Sequence, residues 1–291
     1  MALMHPISEE DIATYERDGV VCIRNQFKPE QVEATLAACL DYMSGTEGIL
    51  HVADDADGGP GRTIVSSHMA RNLPAFTNIM RTSPTAEICA RLMRLGEVRY
   101  FYDQLFVKEP GTQAPTDWHH DLPFWPFNGN HIASIWIALT PVTKEKSGLV
   151  YVAGSHKSKT MYRPDPAPPR ENFVKGEARE FPPCPAFHKE FDNPDYTFLS
   201  WDMEPGDCLV HHPMAVHGAG PNASLETRRV ALSIRYFGGD ATWAARRTSF
   251  TVPGTEDEGA AGLLPGSFPG NQEIFPIVWR EGETIPAEQT S

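Results

Sequence analysis

Thr116-Asp117-Trp118-His119-His120-Asp121-Leu122-Pro123-Phe124-Trp125-Pro126-Phe127 is the stretch from which the rest of the chain can be read. His119 and Asp121 stand two residues apart in it. In an extended segment, side chains at that spacing point to the same face, so an imidazole and a carboxylate project together. A further histidine, His217, comes later in His217-Gly218-Ala219-Gly220-Pro221-Asn222. Two histidines and one carboxylate on one face of a metal ion leave the opposite face open for other ligands.

The bland reading is that His-x-Asp pairs arise by chance in a chain with 11 histidines. Three features weigh against it. The residues after His119 are dense in aromatics and proline, unlike an ordinary solvated loop. His217 follows a Pro205-Gly206-Asp207 turn and a short apolar run, Cys208-Leu209-Val210. Arg228 lies eleven residues after His217, where a following strand can carry it back to the same cavity. Two histidines with a carboxylate are the donor set of non-haem iron(II) centres.

At 291 residues and 32.3 kDa the chain can bury a large core. A hydrophobic content of 41% with 22% charged residues is that of a globular protein. The formal net charge of −13 argues against a general phosphate-binding surface, and so against nucleic acid as a partner. Cys22, Cys39, Cys89, Cys184 and Cys208 form no Cys-x-x-Cys pair, which argues against a thiolate zinc site and fits reduced thiols in a cytoplasm. Met1 to Pro6 lacks the basic and apolar regions of a secretory signal. No apolar run reaches the length of about 18 residues that a membrane helix needs.

Along the chain, Ser8 with Glu9, Glu10 and Asp11 reads as a helix start that Gly19 stops. Val20 to Ile23 reads as a buried strand, and Pro29 opens a second helix carrying Val32, Leu36, Leu40 and Met43. Residues 44–62 read as a mobile loop. Ser83-Pro84 begins a third helix with Ile88, Leu92 and Leu95, ended by Gly96. Six strands then follow: Val98 to Lys108, Ile132 to Leu139, Leu149 to Ala153, Tyr196 to Met203, Asp207 to His211 and Arg228 to Phe237. Strands of this kind after a helical start predict a mainly β protein with flanking helices, built on a cupin-like jelly-roll barrel. The expected organisation is a single domain over 1–291. Residues 8–97 form a mostly helical part packed on the barrel, 98–238 the core with a proline-rich lid at 158–195, and 239–291 a C-terminal extension.

The order and spacing of several motifs resembles one known family. They are Tyr15-Glu16-Arg17-Asp18-Gly19-Val20-Val21, Leu105-Phe106-Val107-Lys108-Glu109-Pro110, Trp118-His119-His120-Asp121-Leu122, Ser147-Gly148-Leu149, Ala153-Gly154-Ser155-His156-Lys157, and Gly206-Asp207 ahead of His217, Asn222 and Arg228. Over residues 8–238 the chain resembles the phytanoyl-CoA dioxygenase family of iron(II)/2-oxoglutarate oxygenases. The resemblance implies a double-stranded β-helix core, iron(II) held by His119, Asp121 and His217, and 2-oxoglutarate and O2 as cosubstrates. It implies that Arg228 binds the distal carboxylate of 2-oxoglutarate, and it places Lys108, Trp136 and Gln104 near that cosubstrate. Arginine suits the role because its planar fork matches a carboxylate and it stays charged.

His120, between the two ligands, should point the other way. His211 and His212 read as core or rim histidines, and His131, His156 and His188 lack partners at ligand spacing. Arg229 adjoins Arg228, and strand alternation lets only one of them face the cavity; the family spacing favours Arg228. Lys144, Lys146, Lys157 and Lys159 read as a solvated basic face. Tyr102, Phe106, Phe124, Trp125 and Phe127 are expected to line a largely apolar pocket for a small organic substrate. Two other readings stay open. One is a cupin-like isomerase or hydrolase using the same ligands without oxygen; the other is a non-catalytic small-molecule-binding barrel. A halogenase is disfavoured because Asp121 occupies the carboxylate position.

Overall fold

In the computed structural model, which describes residues 3–45, 51–54, 61–163, 180–244, 246 and 250–285, the first helix starts where the sequence places it. The Ser8 hydroxyl accepts from the Asp11 backbone N–H at 3.1 Å, and the Asp11 carboxylate accepts from the Ser8 N–H at 2.9 Å. This reciprocal cap begins α1 (Glu9–Asp18), which buries Ile12 and Tyr15. Gly19, at φ 78°, closes it in the left-handed region, and the imidazole of His156 packs where a Cβ on Gly19 would stand. The turn leads directly into β1 (Val20–Ile23).

The remaining helices are α2 (Pro29–Ser44), α3 (Met69–Asn72), α4 (Pro74–Thr82) and α5 (Thr85–Leu92). Between α2 and α3 lie β2 (His51–Asp54) and β3 (Arg62–Ser67). Part of the expected loop 44–62 is therefore strand: β2 pairs antiparallel with β3, which pairs in turn with β4 (Glu97–Lys108). The third helix is also shorter than the apolar spacing suggested. It ends at Leu92, and Arg94 takes a positive φ of 54° before β4.

Then come β5 (Thr116–His119), β6 (Phe127–Asn128), β7 (Ile132–Ala138), β8 (Leu149–Val152), β9 (Phe198–Leu199), β10 (Cys208–His211), β11 (His217–Ala219) and β12 (Arg229–Phe237). The C-terminal part adds β13 (Thr242–Trp243) and β14 (Ile277–Arg280). The larger sheet runs β1-β10-β7-β12-β4-β3-β2, with β14 also on β4; the smaller runs β5-β11-β8-β9; and β13 pairs with β6. Every ladder in these sheets is antiparallel. These are the two facing sheets of a jelly roll, with α1 to α5 against the outer face of the larger one.

Alternation along β12 divides its side chains between two environments. Val230, Leu232, Ile234 and Tyr236 belong to the core under the helices, with Ile88, Leu92 and Val107. Ala231 belongs to the core between the sheets, with Trp136, Tyr151 and Leu209. Arg229, Ser233 and Arg235 share the parity of Ala231 and so face the barrel interior. A third cluster closes one end of the barrel, where Phe101, Phe127, Phe237, Trp243 and Phe275 stack edge-to-face or tilted. The C-terminal segment contributes Trp243 and Phe275 to that cluster, and β14 lengthens the main sheet.

Of the expected lid, residues 164–179 lie outside the described residues. Its described flanks fold back on the smaller sheet: Arg163 and Pro183 form a parallel bridge, and Cys184 and Phe187 pack on Val152 and Val216.

Candidate metal centre

β5 and β11 lie side by side with His119 opposite His217, and β8 on the other edge of β11 sets Tyr151 opposite His217. Directly opposed residues present their side chains on one face, and the two imidazoles stand with ring centroids 4.3 Å apart. Asp121 reaches the same point by a different route from the strand alternation the sequence suggested. β5 ends at His119, and Asp121 has helical backbone angles (φ −76°, ψ −37°) at the head of the turn Leu122–Phe124. That turn is anchored because the backbone N–H groups of Asp121 and Leu122 both donate to the Pro213 carbonyl, at 2.9 and 3.1 Å. Arg246 braces it from the C-terminal segment, donating to the carbonyls of Leu122 (2.9 Å) and Trp125 (2.7 Å).

One ligand-type atom from each of His119, Asp121 and His217 lies within 4.8 Å of the others. Nδ1 of His119 donates to the Asp117 carbonyl at 2.7 Å, and Nδ1 of His217 donates to the Ala215 carbonyl at 2.9 Å. A carbonyl can only accept, so both rings carry their proton on Nδ1 and present the lone pair of Nε2 inward. Asp121 is divided in the same way. Its Oδ2 accepts from Ser134 Oγ at 3.2 Å and from His211 Nε2 at 3.4 Å, while Oδ1 faces His119 Nε2 at 3.6 Å. Tyr151 hydroxyl in turn donates to His211 Nδ1 at 3.0 Å, so a chain from Tyr151 through His211 holds the carboxylate.

Burial alone would raise the Asp121 carboxyl, but its contacts with the His119 and His211 rings, with the nearby charge of Arg235, outweigh it and hold it well below the usual carboxylate range. Burial pushes the His217 imidazole well down, helped by the neighbouring His119 and His211. Burial acts on His119 in the same direction, yet the hydrogen bond and charge of Asp121 prevail and the ring is shifted upward. An ionised carboxylate flanked by a histidine kept neutral is a metal-binding state. The site is closed on two sides: Asp121 and His217 are 8% and 5% exposed, whereas the His119 side chain is 20% exposed. His120 points away, donating from Nδ1 to the Met214 carbonyl at 3.3 Å and accepting from Tyr162 N–H at 2.6 Å.

The arginine expected to face this centre does not. Arg228 precedes the first ladder residue of β12, and its 43%-exposed side chain pairs with Glu109 at 3.2 Å. Arg229 is the inward residue, opposite Lys108 in the register and 4% exposed. The eleven-residue count from His217 runs through a loop, and a loop fixes no face; pairing with β4 does. Arg229 sits over the Trp136 ring at 5.6 Å and donates to the Phe106 carbonyl at 3.3 Å, while its Nε has no partner. Burial lowers the guanidinium to about 10, and no carboxylate among the described residues offsets it.

The other expected site residues divide. Lys108 ties two loops together, donating to the carbonyls of Ala114 (2.9 Å) and Gly220 (3.0 Å). Trp136 lies beneath Arg229, and Gln104, half-buried, faces inward opposite Ser233. Phe106 and Phe124 are partly exposed, with Phe124 at 6.4 Å from the His119 ring. Trp125 and Phe127 do not line the centre. The turn after Asp121 sends them into the aromatic end cluster, where Trp125 Nε1 donates to the Tyr102 hydroxyl at 2.9 Å. Ser134 behind Asp121 escaped the sequence reading, and His211, read there as a core or rim histidine, proves to be the buried partner of the same carboxylate. Their polar placement on otherwise apolar strands was the available signal.

Several resemblance motifs prove to be supports. Ser155 Oγ accepts from the Val216 N–H at 2.8 Å, next to His217. Asn222, fully buried, donates to the carbonyls of Lys108, Glu109 and Thr227, clamping the loop that delivers Arg229. Asn222→Ala should therefore destabilise the fold by about 2–3 kcal/mol by orphaning buried carbonyls. Urea unfolding measures this, and an unchanged midpoint would remove Asn222 from the account. Ser134→Ala combined with His211→Phe should lower iron(II) affinity about 10- to 100-fold without abolishing it. A competition titration with a coloured chelator reads this, and wild-type affinity would show that the Oδ2 partners do not orient the ligand.

Comparison with known proteins bears on the same residues. The family model described as phytanoyl-CoA dioxygenase (PhyH) matches residues 15–230. The multifunctional dioxygenase prhA of Penicillium brasilianum is 28% identical over 239 residues, covering 78% of this chain and 71% of its own. The multifunctional dioxygenase ausE of the same fungus is 27% identical over 238 residues, covering 78% and 71%. Among solved structures, the non-heme alpha-ketoglutarate-dependent epimerase SnoN from nogalamycin biosynthesis superposes with a TM-score of 0.69 at 24% identity, over 94% of this chain and 98% of its own.

Proposed function

The chain belongs to the phytanoyl-CoA dioxygenase (PhyH) family, and from that premise we propose that His119, Asp121 and His217 hold its iron and Arg229 the distal carboxylate of 2-oxoglutarate. The protein is an iron(II)/2-oxoglutarate-dependent dioxygenase. The observation that carries the assignment is the convergence of two Nε2 lone pairs and one carboxylate oxygen, each oriented by a partner on its far side. Neutral imidazole and carboxylate donors suit iron(II), so the residues present fit the metal. Bound there with 2-oxoglutarate, iron(II) supplies the activation of O2 that converts the cosubstrate to succinate and CO2 and oxidises a substrate C–H bond.

The chain's own residues position and shield. The carbonyls of Asp117 and Ala215 hold the imidazoles in their ligating tautomer. Ser134 and the Tyr151–His211 pair keep Asp121 ionised and aimed. Arg229, buried over Trp136 and without a carboxylate of its own among the described residues, is matched to a dicarboxylic cosubstrate. Phe124 supplies apolar surface near the open side at His119, and Phe106 does so beside Arg235.

The substrate we propose is a small, largely apolar organic molecule that undergoes hydroxylation. The aromatic lining supports an apolar skeleton, and the net charge of −13 disfavours a polyphosphate carrier such as coenzyme A. The described residues include no helix long and apolar enough to cross a membrane. Metal-stripped protein given iron(II) and ascorbate should release succinate only when both 2-oxoglutarate and O2 are present. Turnover of a substrate with zinc, independent of both, would instead support a non-redox cupin-like enzyme.

A further inference from the structure

β12 carries a second inward-facing cation. Arg235 lies opposite Tyr102 on β4 and Ser134 on β7, the serine whose hydroxyl holds Asp121. It is 4% exposed. Its guanidinium stands 4.4 Å from the Tyr102 ring centre and 5.8 Å from that of Phe106. The hydrogen bond it makes is to the Ser233 carbonyl at 3.5 Å, at the limit of such contacts, and its Nε has no partner. No described carboxylate forms an ion pair with it, although the charges of Asp121 and Asp103 both act on it from a greater distance. Asp121 is engaged by Ser134, His211 and His119, and Asp103, next along β4, points to the helix side, where it bonds Tyr100 and the Ala70 N–H.

Burying an unpaired guanidinium is costly unless a ligand completes it. Aromatic faces compensate only in part. A second polar group points to the same place. His68 holds a positive φ of 66°, stacks on Phe250 at 5.2 Å and stands 5.5 Å from the Tyr102 ring, with its buried Nδ1 unpartnered. Backbone strain at a non-glycine residue persists where the surroundings impose it, as at ligand clamps.

We propose that Arg235, with His68 beside it, forms a carboxylate subsite, so that the organic substrate is an acid anchored at Arg235 with its apolar skeleton along Tyr102, Phe106 and Phe124. A single planar fork among aromatic rings fits a carboxylate, whereas a phosphate would call for more donors. Arg229 and Arg235 flank Phe106 from opposite ends of the strand, one on its carbonyl and one over its ring, and so serve two different anions. The inference rests on the oxygenase reading, with Arg229 assigned to the cosubstrate.

The test uses iron-loaded protein under nitrogen with 2-oxoglutarate, titrated calorimetrically with matched neutral and acidic probes. These are 2-naphthoate against 2-naphthamide, and cyclohexanecarboxylate against its carboxamide. In the wild type each acid should bind at least tenfold tighter than its amide. Arg235→Gln should erase the difference and Arg235→Lys should keep part of it, with near-ultraviolet circular dichroism verifying the fold of each. A separate titration with 2-oxoglutarate alone should show a large loss in Arg229→Gln and a much smaller one in Arg235→Gln. Acids binding no better than amides, or failure of both to bind, would overturn the subsite. Equal loss of 2-oxoglutarate affinity in the two variants would also overturn it, by assigning Arg235 to the cosubstrate. Failure of the oxygenase reading is seen separately, as absence of 2-oxoglutarate-dependent succinate release from the wild type.

Discussion

Asp121→Ala is expected to abolish succinate formation and to weaken iron(II) binding by more than about 100-fold, since loss of outer-shell partners alone typically costs about 10- to 100-fold. The substitution removes the one anionic donor, and it also strands Ser134 and His211, which now donate to Oδ2. His119→Ala and His217→Ala should match it, because each removes one of three donors that converge within 4.8 Å. His120→Ala is the internal control. Its ring faces Met214 and Tyr162 on the other side of the chain, so iron binding should survive even if stability falls. Metal content after dialysis against limiting iron reads the difference. Loss of iron in His120→Ala with retention in His119→Ala would mean that the register along β5 is wrong.

The second large effect concerns the cosubstrate. Arg229→Ala should raise the dissociation constant for 2-oxoglutarate roughly 100- to 4,000-fold, because breaking a buried charged pair costs about 3–5 kcal/mol and each 1.4 kcal/mol is about tenfold. Arg228→Ala should change it less than about threefold. The Arg228–Glu109 pair is 3.2 Å long but sits at the surface, where such pairs contribute about 0–1 kcal/mol. Titration of 2-oxoglutarate into the two variants under nitrogen distinguishes them. A large loss in Arg228→Ala with little in Arg229→Ala would restore the assignment drawn from residue spacing.

That reversal shows where sequence reasoning held and where it ran out. The alternation Arg229-Val230-Ala231-Leu232-Ser233-Ile234-Arg235-Tyr236 was legible, and it separates the helix side from the barrel interior without any count from His217. Spacing across a loop carried less information than alternation within the strand. The jelly roll itself was legible in strands bounded by turns, and so was the trio His119, Asp121 and His217, whose ligand-type atoms converge within 4.8 Å. The route by which Asp121 reaches the centre was not, because it depends on Pro213, ninety-odd residues away, accepting two backbone N–H groups. The same turn explains Trp125 and Phe127: strand-like alternation stops at His119, so aromatics that follow the ligands need not line the site. β2 was hidden because its partner β3 comes after an intervening segment rich in Gly and Asp.

A crystal structure of the protein grown under nitrogen with iron(II) and 2-oxoglutarate would show directly which residues hold the metal and the cosubstrate. One iron is expected there, bound by Nε2 of His119, a carboxylate oxygen of Asp121 and Nε2 of His217, with the distal carboxylate of 2-oxoglutarate paired to Arg229. An iron held by His211 or His120 in place of one of these, or 2-oxoglutarate anchored on Arg228, would contradict this assignment.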